Sequence, residues 1–138
     1  MWKESQGMSR PLDSPMAGYE KQDAVFIARA PYQNGIHPCK FVDNNGCFVS
    51  YGGKEYKVDK FEYYVGNVKW VKCKNHEIPA GAILAGQETD GRKLYIGRAE
   101  HDGCLITGKV GTHLSQGICI PYYGKEIELS EYEILVEG

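Results

Sequence analysis

Polar residues recur at matched places in the two halves of this sequence: Glu20 and Glu88, Arg29 and Arg98, Lys40 and Lys109, Lys54 and Lys125, Glu55 and Glu126, Glu62 and Glu133. A duplicated unit can carry a duplicated site, so these pairs are the first candidates for chemistry. Arg29 and Arg98 each close a strongly apolar segment. A guanidinium drawn toward a core needs a carboxylate, for which Glu62 or Glu133 is available. Lys54-Glu55 and Lys125-Glu126 follow glycine turns and are either solvated hairpin charges or members of a site. Lys40 and Lys109 follow a turn and precede an apolar residue, which points an ammonium from a strand at a loop-proximal position. Asp90-Gly91 lies just after Ala85-Gly86-Gln87-Glu88, and Asp23 falls on Asp90 when a one-residue gap is shifted. A carboxylate and an ammonium on adjacent loops can accept from and donate to vicinal hydroxyls, with an aromatic wall for a sugar ring. The alternative is a surface ion pair of small energetic value.

Catalytic patterns are missing. His37, His76, His101 and His113 have no counterparts at matching positions, His37 falling on Ile106 and His101 on Tyr32. There is no His-x-x-x-His, no nucleophile elbow, no Walker loop and no dinucleotide fingerprint, so neither enzymatic activity nor a cofactor is expected. A Cys–His pair forms in space, and no spacing recommends one here. No cluster of Asp, Asn and Glu has calcium-loop spacing, and Cys39, Cys47, Cys73, Cys104 and Cys119 form no zinc-type pair, so binding is expected to need no metal. An odd number of cysteines, no Asn-x-Ser/Thr acceptor and no uninterrupted apolar stretch in Met1–Gly7 point to reduced thiols in the cytosol.

These residues must be positioned by a chain of 138 residues with 42% apolar and 25% charged content, enough for one domain or two small units. Sixteen Lys+Arg against 18 Asp+Glu argue against a phosphate-tracking nucleic-acid binder, and no apolar run is long enough to cross a bilayer as a helix. Seventeen glycines and ten tyrosines beside four phenylalanines point to short strands and tight turns. Tyrosine also provides amphipathic surface suited to sugars or proteins.

The chain is a repeat. An offset of 68 superposes Trp2 on Trp70, Pro11 on Pro79, Ala17-Gly18 on Ala85-Gly86 and Glu20 on Glu88. One inserted residue later, Ile27-Ala28-Arg29-Ala30 falls on Ile96-Gly97-Arg98-Ala99 and Lys40 on Lys109. Two more insertions bring Tyr51-Gly52-Gly53-Lys54-Glu55 onto Tyr122-Tyr123-Gly124-Lys125-Glu126. Segments Ala24–Ala30 and Lys93–Ala99 are apolar on both parities, as strands covered on both faces are. Asp43-Asn44-Asn45-Gly46, Gly52-Gly53, Asp90-Gly91 and Asp102-Gly103 are turn chemistry. The expectation is an all-β protein of two tandem pseudo-symmetric repeats, residues 1–69 and 70–138, whose short antiparallel strands share one core.

The second copy carries Trp70, Ile78-Pro79-Ala80-Gly81-Ala82, Ala85-Gly86-Gln87-Glu88-Thr89-Asp90-Gly91 and Leu94-Tyr95-Ile96-Gly97-Arg98-Ala99. It continues through Gly108-Lys109-Val110, Ile120-Pro121-Tyr122-Tyr123-Gly124-Lys125-Glu126 and Tyr132-Glu133-Ile134-Leu135. This string resembles the DM-nine repeat family, and with the first copy the resemblance covers nearly the whole chain. Copy one departs from it where Asp13-Ser14-Pro15 replaces Gly81-Ala82-Ile83, Gln22-Asp23 replaces the Asp-Gly turn and Cys39 replaces Gly108. The resemblance implies mannose-type glycan recognition without catalysis, pattern recognition in innate immunity, and homodimers. Family members occur in the cytosol and some relocate or are released, so the location expected from the thiols is cytoplasmic, with a non-classical route open for release. Carried over, the carbohydrate contacts are Asp23 and Lys40 in copy one and Asp90 and Lys109 in copy two, followed by Glu20 and Glu88. The family also occurs as modules attached to pore-forming proteins. The alternative is therefore a protein-interaction or structural module of a surface- or membrane-damage response.

Overall fold

The structure, a computed structural model, describes residues 1–5, 7–8 and 11–138. Among them the chain forms β1 (Trp2–Glu4), β2 (Met16–Glu20), β3 (Asp23–Tyr32), β4 (Gly35–Val42), β5 (Gly46–Tyr51), β6 (Lys54–Val58) and β7 (Glu62–Tyr64). The same series then recurs as β8 (Val68–Lys74), β9 (Leu84–Gln87), β10 (Lys93–His101), β11 (Cys104–Val110), β12 (Ile118–Tyr122), β13 (Lys125–Leu129) and β14 (Glu131–Glu137). The described residues contain no helix, and none therefore that is long and apolar enough to cross a membrane. The turns fall where the sequence puts residues that tolerate a left-handed backbone, such as Asn34, Asn44, Gly53, Asp102 and Gly124.

Within the first repeat, β2, β3, β4, β5 and β6 pair in succession, and β7 lies between β3 and β1. The second repeat copies this pattern strand for strand, from β9 to β13, with β14 between β10 and β8. All pairings are antiparallel. Three pairings join the repeats: β2 with β11, β4 with β9, and β6 with β13. The series β2-β3-β4-β9-β10-β11 thereby closes on itself as an antiparallel barrel, three strands from each repeat. Closure removes the open edges that short strands otherwise expose.

The core is not one continuous mass, because each strand fan covers its own inner face before the repeats meet. Phe26, Ala28, Ala30, Cys39, Phe41, Cys47, Val49 and Phe61 fill the first repeat. A cluster around Ile106, Ile118, Ile120, Tyr132 and Ile134 fills the second. A third cluster of Ala17, Ile27, Ala85, Ile96 and Leu135 is built from both repeats, with Trp2 and Trp70 packed against it. Phe26 and Ala28 thus point to one cluster and Ile27 to another, which is why β3 is apolar on both parities. All five cysteines are buried and unbridged.

The crossing of the repeats depends on two pseudo-equivalent glycines. A Cβ at Gly18 would lie 2.1 Å from the Leu105 carbonyl oxygen, and one at Gly86 would lie 2.0 Å from that of Ile36. Both obstacles are backbone, so neither can rotate away. Gly86→Ala and Gly18→Ala are each expected to cost about 3 kcal/mol through overpacking. Urea unfolding measures this, and wild-type stability in either variant would show that the strands do not approach so closely.

Candidate functional site

Two pseudo-equivalent charge clusters sit where the repeats meet. In the first, Lys40 projects from β4 and keeps 2% of its surface exposed. Its ammonium donates to Glu20 Oε1 at the end of β2 and lies 2.9 Å from Glu55 Oε2 on β6. Glu55 turns its other oxygen to the second repeat, where it accepts from the Gly124 N–H at 3.0 Å. The faces of Phe48 and Tyr122 stand 5.4 and 5.6 Å from the Lys40 ammonium, so the cation is covered by π-faces as well as by carboxylates. Tyr122 belongs to the other repeat and is fixed in turn by donating to Asp102 Oδ2 at 3.0 Å. That bond, followed by burial, raises the phenol above its ordinary range.

The second cluster repeats the frame with different fillings. Lys109 on β11 keeps 4% of its surface, lies 3.5 Å from Glu126 Oε2 and faces the Tyr51 ring at 5.3 Å. Glu126 accepts from the Gly53 N–H at 3.1 Å, mirroring Glu55 and Gly124. Two histidines then break the symmetry. His37, fully buried, accepts from the Lys109 ammonium at Nδ1 over 3.4 Å and meets Tyr51 edge-on. Burial first, and the Lys109 charge second, depress its pKa to about 4, so the ring is neutral near pH 7. His113, in the loop before β12, binds Glu88 at 2.7 Å, whereas the equivalent Glu20 is bound by Lys40.

A DM9 repeat model matches residues 19–129, which span both clusters and every strand of the barrel except part of β2. The chain belongs to the DM9 repeat family. No curated protein matched it.

In this DM9 protein the residues expected at the sites fall into two groups. Glu20 and Lys40 come together directly, whereas Lys109 meets Glu126, and Glu88 lies beside it on His113. Asp23 is engaged by Asn45, whose Nδ2 donates to Asp23 Oδ2 at 3.1 Å. Asp90 is held by Arg92 at 2.8 Å, and that hydrogen-bonded guanidinium lowers the carboxyl pKa. Both aspartates are therefore held by partners other than the lysines. The lysines, expected at loop-proximal positions, are buried where the repeats cross. Glu55 and Glu126, left open between hairpin charge and site residue, belong to the clusters. Tyr51, Tyr122, His37 and His113 were not singled out as site residues. The duplicated Tyr-x-Gly-Lys-Glu string carried the signal for the tyrosines, while the histidines recur nowhere and so left none.

The arginines resolve as pairs within each repeat, Arg29 with Glu62 and Arg98 with Glu133, both at 2.8 Å. Surface clefts of about 470 and 810 Å³ run beside these pairs. Their guanidinium groups are already answered by carboxylate, carbonyl and tryptophan, which is the arrangement of a structural joint.

Two outcomes follow. His37 has a folded pKa below the ordinary 6.5, so its contribution is complete above that pH and is lost as pH falls toward about 4. The loss is up to about 3 kcal/mol. Urea midpoints between pH 7 and 4.5 should fall more steeply in the wild type than in His37→Ile, which installs the residue that copy two has there. Parallel profiles would show that His37 is not buried neutral. Lys40→Met leaves Glu20 and Glu55 facing each other without a cation and should cost about 3 kcal/mol. Lys109→Met should cost less, because Glu88 already has His113; equal losses in melting experiments would contradict this difference.

Proposed function

We propose that this protein is a non-catalytic carbohydrate-binding protein that recognises mannose-type glycans at the two lysine–carboxylate clusters. The observation that carries the reading is the duplicated frame itself: an ammonium set between a hairpin carboxylate and an aromatic face contributed by the other repeat. Neutral polyols are bound through fixed donors and acceptors beside an apolar wall, and this frame has all three. Lys40 donates to Glu20, while its contact with Glu55 Oε2 is an ion pair and that oxygen accepts no hydrogen bond, so ammonium and carboxylate both keep capacity for a ligand hydroxyl. Lys109, with longer contacts to Glu126 and His37, is less committed. Glu20, Asp23 and Asn45 provide acceptors and a donor for vicinal hydroxyls at the first site, and Glu88 and Asp90 do so at the second. A hydroxyl with the wrong direction leaves a desolvated charge without its partner, which is how such a site tells mannose from galactose.

Pattern recognition in innate immunity, a homodimeric assembly and a cytoplasmic location with release by a non-classical route complete the reading, supported by family membership. In this reading the ligand is held by the clusters' own ammonium, carboxylates and aromatic rings, without a metal.

Calorimetry with mannose, glucose and galactose is the decisive measurement. Mannose should bind at two sites per chain, unaffected by EDTA, with galactose weaker by about 1–3 kcal/mol. Glu20→Gln should weaken the first site and spare the second. No heat with any of the three sugars would reject the lectin reading and favour an interaction module in which the clusters only tie the repeats together.

A further inference from the structure

The two clusters differ at one rim position in a way their shared frame does not require. The turn that carries Tyr122 continues into Tyr123-Gly124, and the matching turn in the first repeat is Gly52-Gly53. Tyr123 adopts φ 55°, the left-handed region that favours glycine, and Gly52 adopts nearly the same value, φ 59°. The turn therefore has the same shape in both repeats, and glycine suits it better. Tyrosine at this position nevertheless keeps 78% of its surface exposed, so no burial of the ring compensates for the backbone conformation. Costly backbone with no gain in packing is the pattern found at ligand sites.

The ring stands at the mouth of the first cluster. Its centroid is 6.1 Å from that of Tyr122, whose face covers Lys40, and the two planes are inclined by 34°. On its other side is Lys21, 6.0 Å from the ring centroid and next in sequence to Glu20, the carboxylate that binds Lys40. Gly124, which follows it, donates to Glu55. Tyr123 is thus an aromatic surface one ring's distance outward from the wall of the first site. At the second site a Cβ on Gly52 would meet nothing within 4 Å, so the same place is open.

We propose that Tyr123 forms a second sugar subsite beside the first cluster, so that this cluster engages two linked residues of a mannose-type oligosaccharide while the second cluster engages one. The proposal rests on the carbohydrate-binding reading above. The C–H face of a pyranose stacks on an exposed aromatic ring, which Tyr123 offers, and a residue stacked there lies one ring's distance from the first cluster, as a linked sugar does. Lys21 supplies an ammonium at the rim for the hydroxyls of that outer residue.

Calorimetric titration of the full chain with mannose and with α-mannobioses of the different linkages tests this. The wild type should bind mannose at both sites, and at least one mannobiose about three- to tenfold tighter at one of them. Tyr123→Gly should remove that gain and leave mannose binding unchanged, with no loss of folding because glycine suits the turn. Tyr123→Phe should retain the gain, and Gly52→Tyr should create it at the second site. If mannose binds but no mannobiose binds tighter, or if Tyr123→Gly keeps the gain, the subsite is refuted while the lectin reading stands. If the wild type binds no mannose, both fall.

Discussion

Each repeat lays its Ala-Gly strand against the other repeat, and the rest of the molecule is arranged around that exchange. The strand with Ala17-Gly18 runs beside β11, and the strand with Ala85-Gly86 runs beside β4. Two arginines fasten it. Arg29 donates to the Ala85 carbonyl at 3.0 Å and Arg98 to the Ala17 carbonyl at 2.8 Å, each while bound to a glutamate of its own repeat and stacked on a tryptophan. A guanidinium has a planar fork of donors and a face that stacks, so one side chain meets all three demands. A lysine there could satisfy the carboxylate but not the other two.

Because the strands cross, the hairpin β5–β6 comes to rest against the hairpin β12–β13. The Glu55 N–H then donates to the Gly124 carbonyl and the Glu126 N–H to that of Gly53. This backbone exchange places each glutamate carboxylate between a turn of the other repeat and a lysine of its own. The clusters are therefore consequences of the fold, and neither could exist in an isolated repeat, which would lack Tyr122 or Tyr51. Burying an ammonium is costly unless it is paired and its remaining surface is covered. Here the pairing comes from within the repeat and part of the covering from across it, so cluster and interface stabilise one another.

Much of this was legible in the sequence. The offset identities gave the duplication, two-parity apolar segments gave β3 and β10, and turn residues marked the hairpins. The pairing of Arg29 and Arg98 with Glu62 and Glu133 could be narrowed to two partners. What alignment cannot express is that the copies interlock: comparing Lys40 with Lys109 says they are equivalent, not that each faces a tyrosine of the opposite copy. The same limit explains the aspartates. Asp23 opens β3 directly across from Glu20, and Asp90 lies on the turn after Glu88, so neighbouring acids compete for each lysine and the alignment does not say which one reaches it. Here Glu20 reaches Lys40, while Asp23 and Asp90 are engaged by Asn45 and Arg92. A search for shared residues also passes over those that recur nowhere, and His113 stands on a loop that the first repeat has in shorter form.

Those unshared residues are where the two sites part. A duplicated frame imposes the same lysine, the same hairpin glutamate and the same tyrosine wall, so any difference between the clusters must come from outside it. At Lys40 two carboxylates balance one cation, which leaves the cluster with an excess of negative charge. At Lys109 one glutamate is bound by His113 and a neutral His37 takes its place, so the ammonium faces one carboxylate at longer range. The first site is consequently the stronger acceptor and the second the freer donor. Both present an aromatic face set by the same crossing. Duplication thus fixed the frame that the two clusters share, and divergence at His37, His113 and Tyr123 changes the charge and the rim around it without disturbing the barrel that holds them.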